Sequence, residues 1–475
     1  MAAKFGTSGL RGLSTELVGS VSALYATAFA QYLLKNNLAK PGDAICIARD
    51  FRDSSPEIAT TVMAAIARAG LKAIDCGEIP TPALALYAIA RGEAAIMITG
   101  SHIPADRNGI KFYRPDGEIA KPDEVAITAL ADELKDDDTA NLVEVGTAED
   151  HSKAAIELFE KRNEAVLLPG ALKGMKIGVY QHSTVARDML MDVVSSYGAK
   201  AFALGRSNSF IPVDTEAVSE ETQLKLKDWA AEHTLDAVIS SDGDGDRPLL
   251  ADENGVPLRG DLLGLLTARF LDAKTIATPV TSNSGIEAAG GFEVVRTKVG
   301  SPFVIAAMDE ARTAGKDSVL GFEANGGLML ASDFEVGGRA IAALPTRDSF
   351  LPILAVLATA ANGKKSLSAI AEEISLPIAM ADRLENFATE KSQALMSSLR
   401  ASESNLVTFL RPIGKPASHS DIDGLRVTLE DARVIHFRPS GNAPEMRCYV
   451  EAKSADAAQA LLKQGLSIIA NWRPS

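Results

Sequence analysis

The stretch "AICIARDFRDSSPEIATTVMAAIARAGLKAIDCG", residues 44–77, decides the fold. "AICIARD" (44–50) is a short Ile-rich run of strand length, and "LKAIDCG" (71–77) is a second. Between them "SPEIATTVMAAIARAG" (55–70) has apolar residues at helical spacing, a serine at its start and Gly70 as its stop. Strand, helix, strand over this length reads as a parallel pair joined by a crossover helix. Outward from it, helix-like "TPALALYAIARG" (81–92) leads into strand-like "AAIMITG" (94–100). The rhythm returns at 176–205, from "KIGVY" through a helix ending "VVSSYG" to "AKAFALG". It returns again at 274–300, as "KTIATPV", "SGIEAAGG" and "FEVVRTKVG". These repeats predict three similar α/β domains. "SLSAIAEEI", "LRVTLEDARVIHFRPSG" and "RCYVEAKSADAAQALLKQGLSIIANW" then alternate α and β in a way that suits a small C-terminal α+β domain. The expected boundaries are 1–146, 147–252, 253–365 and 366–475.

A chain of 475 residues exceeds what one hydrophobic core supports. With 48 basic against 62 acidic residues, it will not bind nucleic acid through bulk charge. An anionic ligand must be held by local basic clusters. Cys46, Cys76 and Cys448 lie far apart in apolar runs and read as buried hydrophobes in a reducing compartment, with no disulfide framework or zinc spacing. The start, "MAAKFGTSGLRG", lacks the apolar core of a signal peptide, and "FLPILAVLATAA" (350–361) is too short to span a bilayer. The expectation is a cytoplasmic protein with no nucleic-acid or membrane partner. No coiled coil or exposed apolar helix fixes an oligomeric state.

Four loops carry chemistry. "FGTSGLRG" (5–12) offers free N–H and hydroxyl donors around Arg11; alone, it reads first as a disordered terminus with an incidental arginine. "TGSHIPADRNGIKFY" (99–113) puts Ser101 just past the carboxyl end of an apolar strand, where ligands gather in open α/β sheets. His102 adjoins it and joins the catalytic candidates. Extended neighbours point apart, however, and no G-x-S-x-G elbow exists, which argues against a Ser-His-Asp triad. Lys111, between Ile110 and Phe112 on the next strand, is a candidate to aim back at the same loop mouth. "ISSDGDGDRPLLADENG" (239–255) places Asp242, Asp244 and Asp246 at alternate positions after an apolar strand. Three adjacent carboxylates call for a cation, and hard oxygen ligands favour magnesium or calcium. An EF-hand fails, because Arg247 and Pro248 occupy its sixth and seventh positions; an acidic surface turn is the bland alternative. A phosphorylated Ser101 would supply the metal with a further oxygen, giving the serine the task of carrying a phosphoryl group. Finally, "RPSGNAPEMR" (438–447) brackets Ser440, Gly441 and Asn442 with Arg438 and Arg447, either a phosphate clamp or a polar turn.

In this order the loops resemble the α-D-phosphohexomutase family, which includes phosphoglucomutases and phosphomannomutases, over essentially the whole chain. "TGSHIP" resembles its phosphoserine loop, "DGDGDR" its magnesium loop and "RPSGNAP" its phosphate-binding loop, while "GFEANGG" (321–327) stands at its sugar-binding loop. The resemblance implies four domains around a central cleft, each giving one loop. It implies a phosphorylated Ser101 that, with Asp242, Asp244 and Asp246, holds one Mg²⁺. Glu323 and Asn325 would bind sugar hydroxyls. Arg438, Ser440, Gly441 and Asn442 would grip the unreacting phosphate, with Arg447 beside them. Arg11 and Lys111 match positions that assist proton transfer, and Arg247 and Lys298 match positions near the substrate. Ile103, Ser301 and Gly327 depart from the usual Asn, His and His, which puts the sugar contacts in question.

The activity so implied interconverts hexose 6-phosphate and hexose 1-phosphate through a 1,6-bisphosphate, which also serves as primer. The look of "GFEANGG" with "RPSGNAPEMR" leans to the bacterial phosphomannomutase type, ahead of dual glucose/mannose activity and of glucosamine phosphate. A metal-dependent sugar phosphatase and a silent sugar-phosphate binder are the readings from other classes.

Overall fold

The computed structural model describes residues 3–6, 8–440 and 444–473. They form two compact units: one runs to Ala277 and includes Gly300–Glu373, and the other joins Thr278–Val299 to the chain from Ile374 onward.

The larger unit holds three main sheets and a two-stranded ribbon, Phe334–Val336 with Arg339–Ile341. In the first, the 44–77 stretch folds as its sequence predicts. Strand Ala44–Arg49, helix Ser55–Arg68 and strand Lys72–Gly77 form a parallel pair with a helical crossover. Ala94–Ile98 pairs in parallel on the other side of Ala44–Arg49. Beyond it Arg107–Arg114 and then Leu10–Leu13 pair antiparallel, so the sheet is mixed. Apolar strand faces pack under helices Ser22–Lys35, Ser55–Arg68 and Lys121–Leu134 in one continuous core. The second sheet sets Lys176–Tyr180 parallel to both Lys200–Leu204 and Ala237–Ser241. The third sets Thr275–Pro279 parallel to Val319–Phe322, which continues antiparallel into Leu328–Leu330 and Leu344–Asp348.

One expectation needs correcting. Ser14–Lys35 is, at 22 residues, long and apolar enough to cross a membrane by length and composition. Its backbone nonetheless leaves helical geometry at Val18 (ψ 89°) and Gly19 (φ 144°, ψ −148°). The helix after that kink, Ser22–Lys35, buries Ala26, Phe29, Ala30 and Leu33 in the protein core. Apolar length here reflects packing on two sides.

In the smaller unit, strands Ile378–Leu384, Met446–Ala452, Val434–Pro439, Leu425–Leu429 and Pro416–Ser420 form one antiparallel sheet in that order. Helix Ala455–Asn471 contributes Ala458, Leu461 and Ile469 to its core.

Candidate active site

Three loops of the larger unit each leave the carboxyl end of a strand that has a parallel neighbour, where backbone amides and chain reversal favour ligand binding. Ser101 follows Ala94–Ile98, the Asp242–Asp246 turn follows Ala237–Ser241, and Glu323 follows Val319–Phe322.

These loops meet. Ser101 Oγ donates to Asp242 Oδ2 at 2.5 Å and lies 3.2 Å from His102 Nδ1. The other Asp242 oxygen accepts the backbone N–H groups of Asp246 (3.2 Å) and Arg247 (3.1 Å), which closes the acidic turn. Asp242, Asp244 and Asp246 are fully buried, with one carboxylate oxygen from each within 4.8 Å of the others. Lys111 Nζ sits between two of them, 2.5 Å from Asp244 Oδ2 and 2.6 Å from Asp246 Oδ2. Asp244 Oδ1 and Asp246 Oδ1 are buried without a hydrogen-bond partner. Unpaired buried carboxylate oxygens are costly, and hard oxygen donors so arranged suit a divalent cation such as Mg²⁺. The residues fit a metal.

The electrostatics follow from burial and crowding. Desolvation, with Asp244 and Asp246 adding to it, pushes the Asp242 carboxyl well above its ordinary range. Desolvation also pushes Asp246 upward, but the charges of Arg347, Lys111 and Arg247 outweigh it and hold this carboxyl below the usual range. For Lys111, burial works against the ammonium, and the Asp244 and Asp246 charges overcome it, so the group stays protonated. Burial, then Arg247 and Arg11, drives His102 far down, leaving a neutral imidazole. Its Nδ1 accepts a hydrogen bond from Arg247 Nη1 at 2.8 Å. Arg11 lies on Leu10–Leu13, whose register sets it opposite Gly109 on the strand that carries Lys111. Burial, with Arg247 and Arg347 nearby, lowers it to about 10.

Models of phosphoglucomutase/phosphomannomutase domains match in three places: α/β/α domain I over residues 2–138, α/β/α domain III over 259–376, and the C-terminal domain over 383–465. A phosphomannomutase of Sinorhizobium fredii is 59% identical over 469 residues, 99% of each chain. The chain belongs to the phosphoglucomutase/phosphomannomutase family. A phosphomannomutase of Salmonella muenchen is 40% identical across 98% of this chain and 95% of its own. A crystal structure of a phosphoglucomutase/phosphomannomutase family protein from Burkholderia thailandensis shares the fold, with a TM-score of 0.76 at 20% identity over 99% of both chains.

Within this family fold, residues of the 321–327 loop lie beside the acidic turn. Glu323 accepts from Arg347 Nη1 at 3.2 Å, and the same guanidinium reaches Asp246 Oδ2 through Nε (3.0 Å) and Nη2 (2.9 Å). Arg347 thus ties the 321–327 loop to the acidic turn, and sequence reading missed it. Gly327 makes room for it: a Cβ at 327 would lie 2.7 Å from Arg347 Cδ. Asn325 spends its side-chain oxygen on its own loop, accepting Gly327 N–H at 3.0 Å. Ser301, the second departure, is buried and donates to Glu118 Oε2 at 2.8 Å. Ile103, the third, contributes its carbonyl, which accepts from Arg52 Nη2 at 2.7 Å. Thr81 was also missed; its hydroxyl bonds Asp244 Oδ2 at 2.5 Å.

The remaining candidates belong to the smaller unit. Arg438 pairs with Asp423 (2.9 Å). In strand register Arg438 faces Arg447, and Arg447 faces Arg383 on the next strand. Residues directly opposite share a face, so three guanidinium side chains form a row. Like charges so placed repel, and acids of the same unit partly offset them: Glu385 lies 3.2 Å and Glu445 3.6 Å from Arg383, and Glu445 3.9 Å from Arg447. Arg383 escaped sequence reading because its neighbours are set by pairing across the sheet. Ser440 begins the loop, its N–H bonded to Glu445 O at 3.0 Å, and Lys298 is exposed after strand Glu293–Thr297. Gly441 and Asn442 lie outside the described residues.

Proposed function

We propose that this protein is a phosphomannomutase, an isomerase that moves a phosphoryl group between the 6- and 1-hydroxyls of mannose through phosphorylated Ser101 and a hexose 1,6-bisphosphate. The observation that carries this reading is the buried Ser101 Oγ bonded to Asp242, beside two carboxylate oxygens that lack partners. Phosphoserine 101 donates: its Oγ–P bond breaks as a bond from the sugar hydroxyl oxygen to phosphorus forms. The bisphosphate turns around, its other phosphoryl returns to Ser101 Oγ, and the isomeric monophosphate leaves. Asp242, Asp244 and Asp246, with the serine phosphate, would hold Mg²⁺, which neutralises charge on phosphoryl oxygens. Lys111 and Arg11 carry fixed positive charge to the same place. Lys111, held protonated, and Arg11, lowered to about 10, are the groups to handle the transferring protons, while the neutral His102 lies next to Ser101 Oγ.

Glu323, held by Arg347, and Asn325 would read sugar hydroxyls, with Arg247 and Lys298 near the substrate. Arg438, Ser440, Gly441, Asn442 and Arg447 would take the phosphate that is not reacting. In this reading the four segments 1–146, 147–252, 253–365 and 366–475 contribute one loop each. The buried free thiols of Cys46, Cys76 and Cys448 fit a reducing, cytoplasmic setting.

Glucose and mannose differ at C2 alone, and a carboxylate reading other hydroxyls treats them alike, so dual activity is the second reading. A coupled assay on mannose, glucose and glucosamine 1-phosphates, with Mg²⁺ and trace bisphosphate, tests both. The expected result is mannose 6-phosphate formed without stoichiometric inorganic phosphate. Phosphate release without interconversion identifies a phosphatase instead, and binding without turnover a silent binder.

A further inference from the structure

Arg52 is almost fully buried, at 1% exposure, and lies in the loop after strand Ala44–Arg49, outside every loop assigned above. Its guanidinium is saturated. Nη2 donates to the carbonyls of Ser101 (2.9 Å) and Ile103 (2.7 Å), and Nη1 to those of Pro104 and Arg107 (both 2.8 Å). Nε donates to Asp50 Oδ2 at 3.1 Å. The whole 101–107 loop is therefore wrapped around one cation. Asp50 in turn accepts Thr99 Oγ1 (2.7 Å), and Thr99 Oγ1 accepts the Ser101 N–H (2.7 Å). A Cβ at Gly100 would lie 2.5 Å from Arg52 Cζ, so the loop passes as close as a backbone can.

Ser101 itself has φ 57°, a left-handed conformation that costs a non-glycine residue energy and persists only when its surroundings impose it. The other face of Arg52 is covered by the Phe210 ring, 4.0 Å from Cζ. Phe210 also touches the acidic turn: a Cβ at Gly243 would lie 3.0 Å from that ring and 2.9 Å from the Ser101 carbonyl.

We propose that Arg52 is the positioning residue of the phosphoryl carrier, fixing Ser101 in its left-handed conformation and, through Phe210, setting it against the acidic turn. The proposal rests on the reading of Ser101 as the phosphate carrier. Arg52 touches neither the Ser101 hydroxyl nor the carboxylates of the turn in any bond described, so it acts through the backbone. Five donors in a planar fork do this; the three donors of a lysine ammonium cannot reproduce it.

The test compares wild type, Arg52→Lys, Phe210→Leu and Ser101→Ala in the full chain with Mg²⁺ and glucose 1,6-bisphosphate. In Arg52→Lys, kcat is expected to fall about 10²-fold while KM for the sugar phosphate stays within about threefold, since misplacing a reacting group costs turnover before binding. Its phosphoenzyme, without sugar phosphate, should also release inorganic phosphate severalfold faster than wild type. Phe210→Leu removes the ring alone and should lower kcat about fivefold at unchanged KM. A folded Arg52→Lys protein with kcat within about threefold of wild type, or one changed only in KM, overturns the proposal. If Arg52→Lys does not fold, Phe210→Leu decides, and an unaltered kcat there is equally fatal. Full activity in Ser101→Ala would instead sink the underlying reading of the serine.

Discussion

The serine–aspartate site of the larger unit and the arginine row of the smaller one solve opposite problems with charge. In the first, three carboxylates are buried with Lys111 and Arg347, each of which is paired with Asp246, and the serine hydroxyl is bonded to Asp242. In the second, the arginines face each other across strands, each has an acid beside it, and side-chain exposure rises along the row from 17% at Arg438 to 51% at Arg383. Burial strengthens each Coulomb interaction and fixes geometry, which transfer of a phosphoryl group requires. Exposure lets a phosphate enter and leave, which gripping and releasing a substrate requires. Under the proposed function, chemistry would belong to the dry cluster and exchange of substrate to the more exposed row.

Substitutions test that division. Removing the carrier should have the largest effect: Ser101→Ala lowers mutase turnover by about 10³-fold or more, and intact mass loses the species heavier by one phosphate. Next, Asp244→Asn weakens the cation site. It should cut activity by about 10²-fold at low Mg²⁺, with partial recovery as Mg²⁺ is raised in a titration. In the arginine row the signature reverses. Arg438→Gln should raise KM by about tenfold with kcat little changed, and Arg383→Gln should raise it only about threefold, since its exposed charge is screened. A kcat loss in either arginine variant as large as in Asp244→Asn would break the comparison.

Acid stability provides the smallest effect. Burial lowers both His182, in the larger unit, and His436, in the smaller, to about 4. A histidine buried neutral takes up a proton more readily when unfolded, so each withdraws stability as pH falls from about 6.5 towards 4, by roughly 3 kcal/mol at most. In the larger unit, burial raises Asp50, Asp242 and Asp348. Those groups bind protons more readily when folded and act against the loss from His182, while the buried, neutral His102 adds to that loss. His436→Asn should therefore flatten the pH dependence of unfolding of the smaller unit between pH 6.5 and 4, whereas His182→Asn leaves a residual slope in the larger. Thermal melts across that range measure both.

Where patterns were local, the amino-acid sequence was sufficient. Helical spacing and Gly stops marked the crossover units, and alternate aspartates after an apolar strand marked the acidic turn, because strand, helix and turn preferences act over a few residues. What three-dimensional packing alone decided was which distant side chains touch. Arg52 wraps a loop about fifty residues onward, Arg347 fills the space left by Gly327 to bridge Asp246 and Glu323, and Arg383 acquires Arg447 as a neighbour by register. The apolar length of Ser14–Lys35 was visible in the sequence, while its kink and its place in a protein core were not. Such contacts depend on closing long loops and on steric fit between surfaces, quantities that no short window of residues contains.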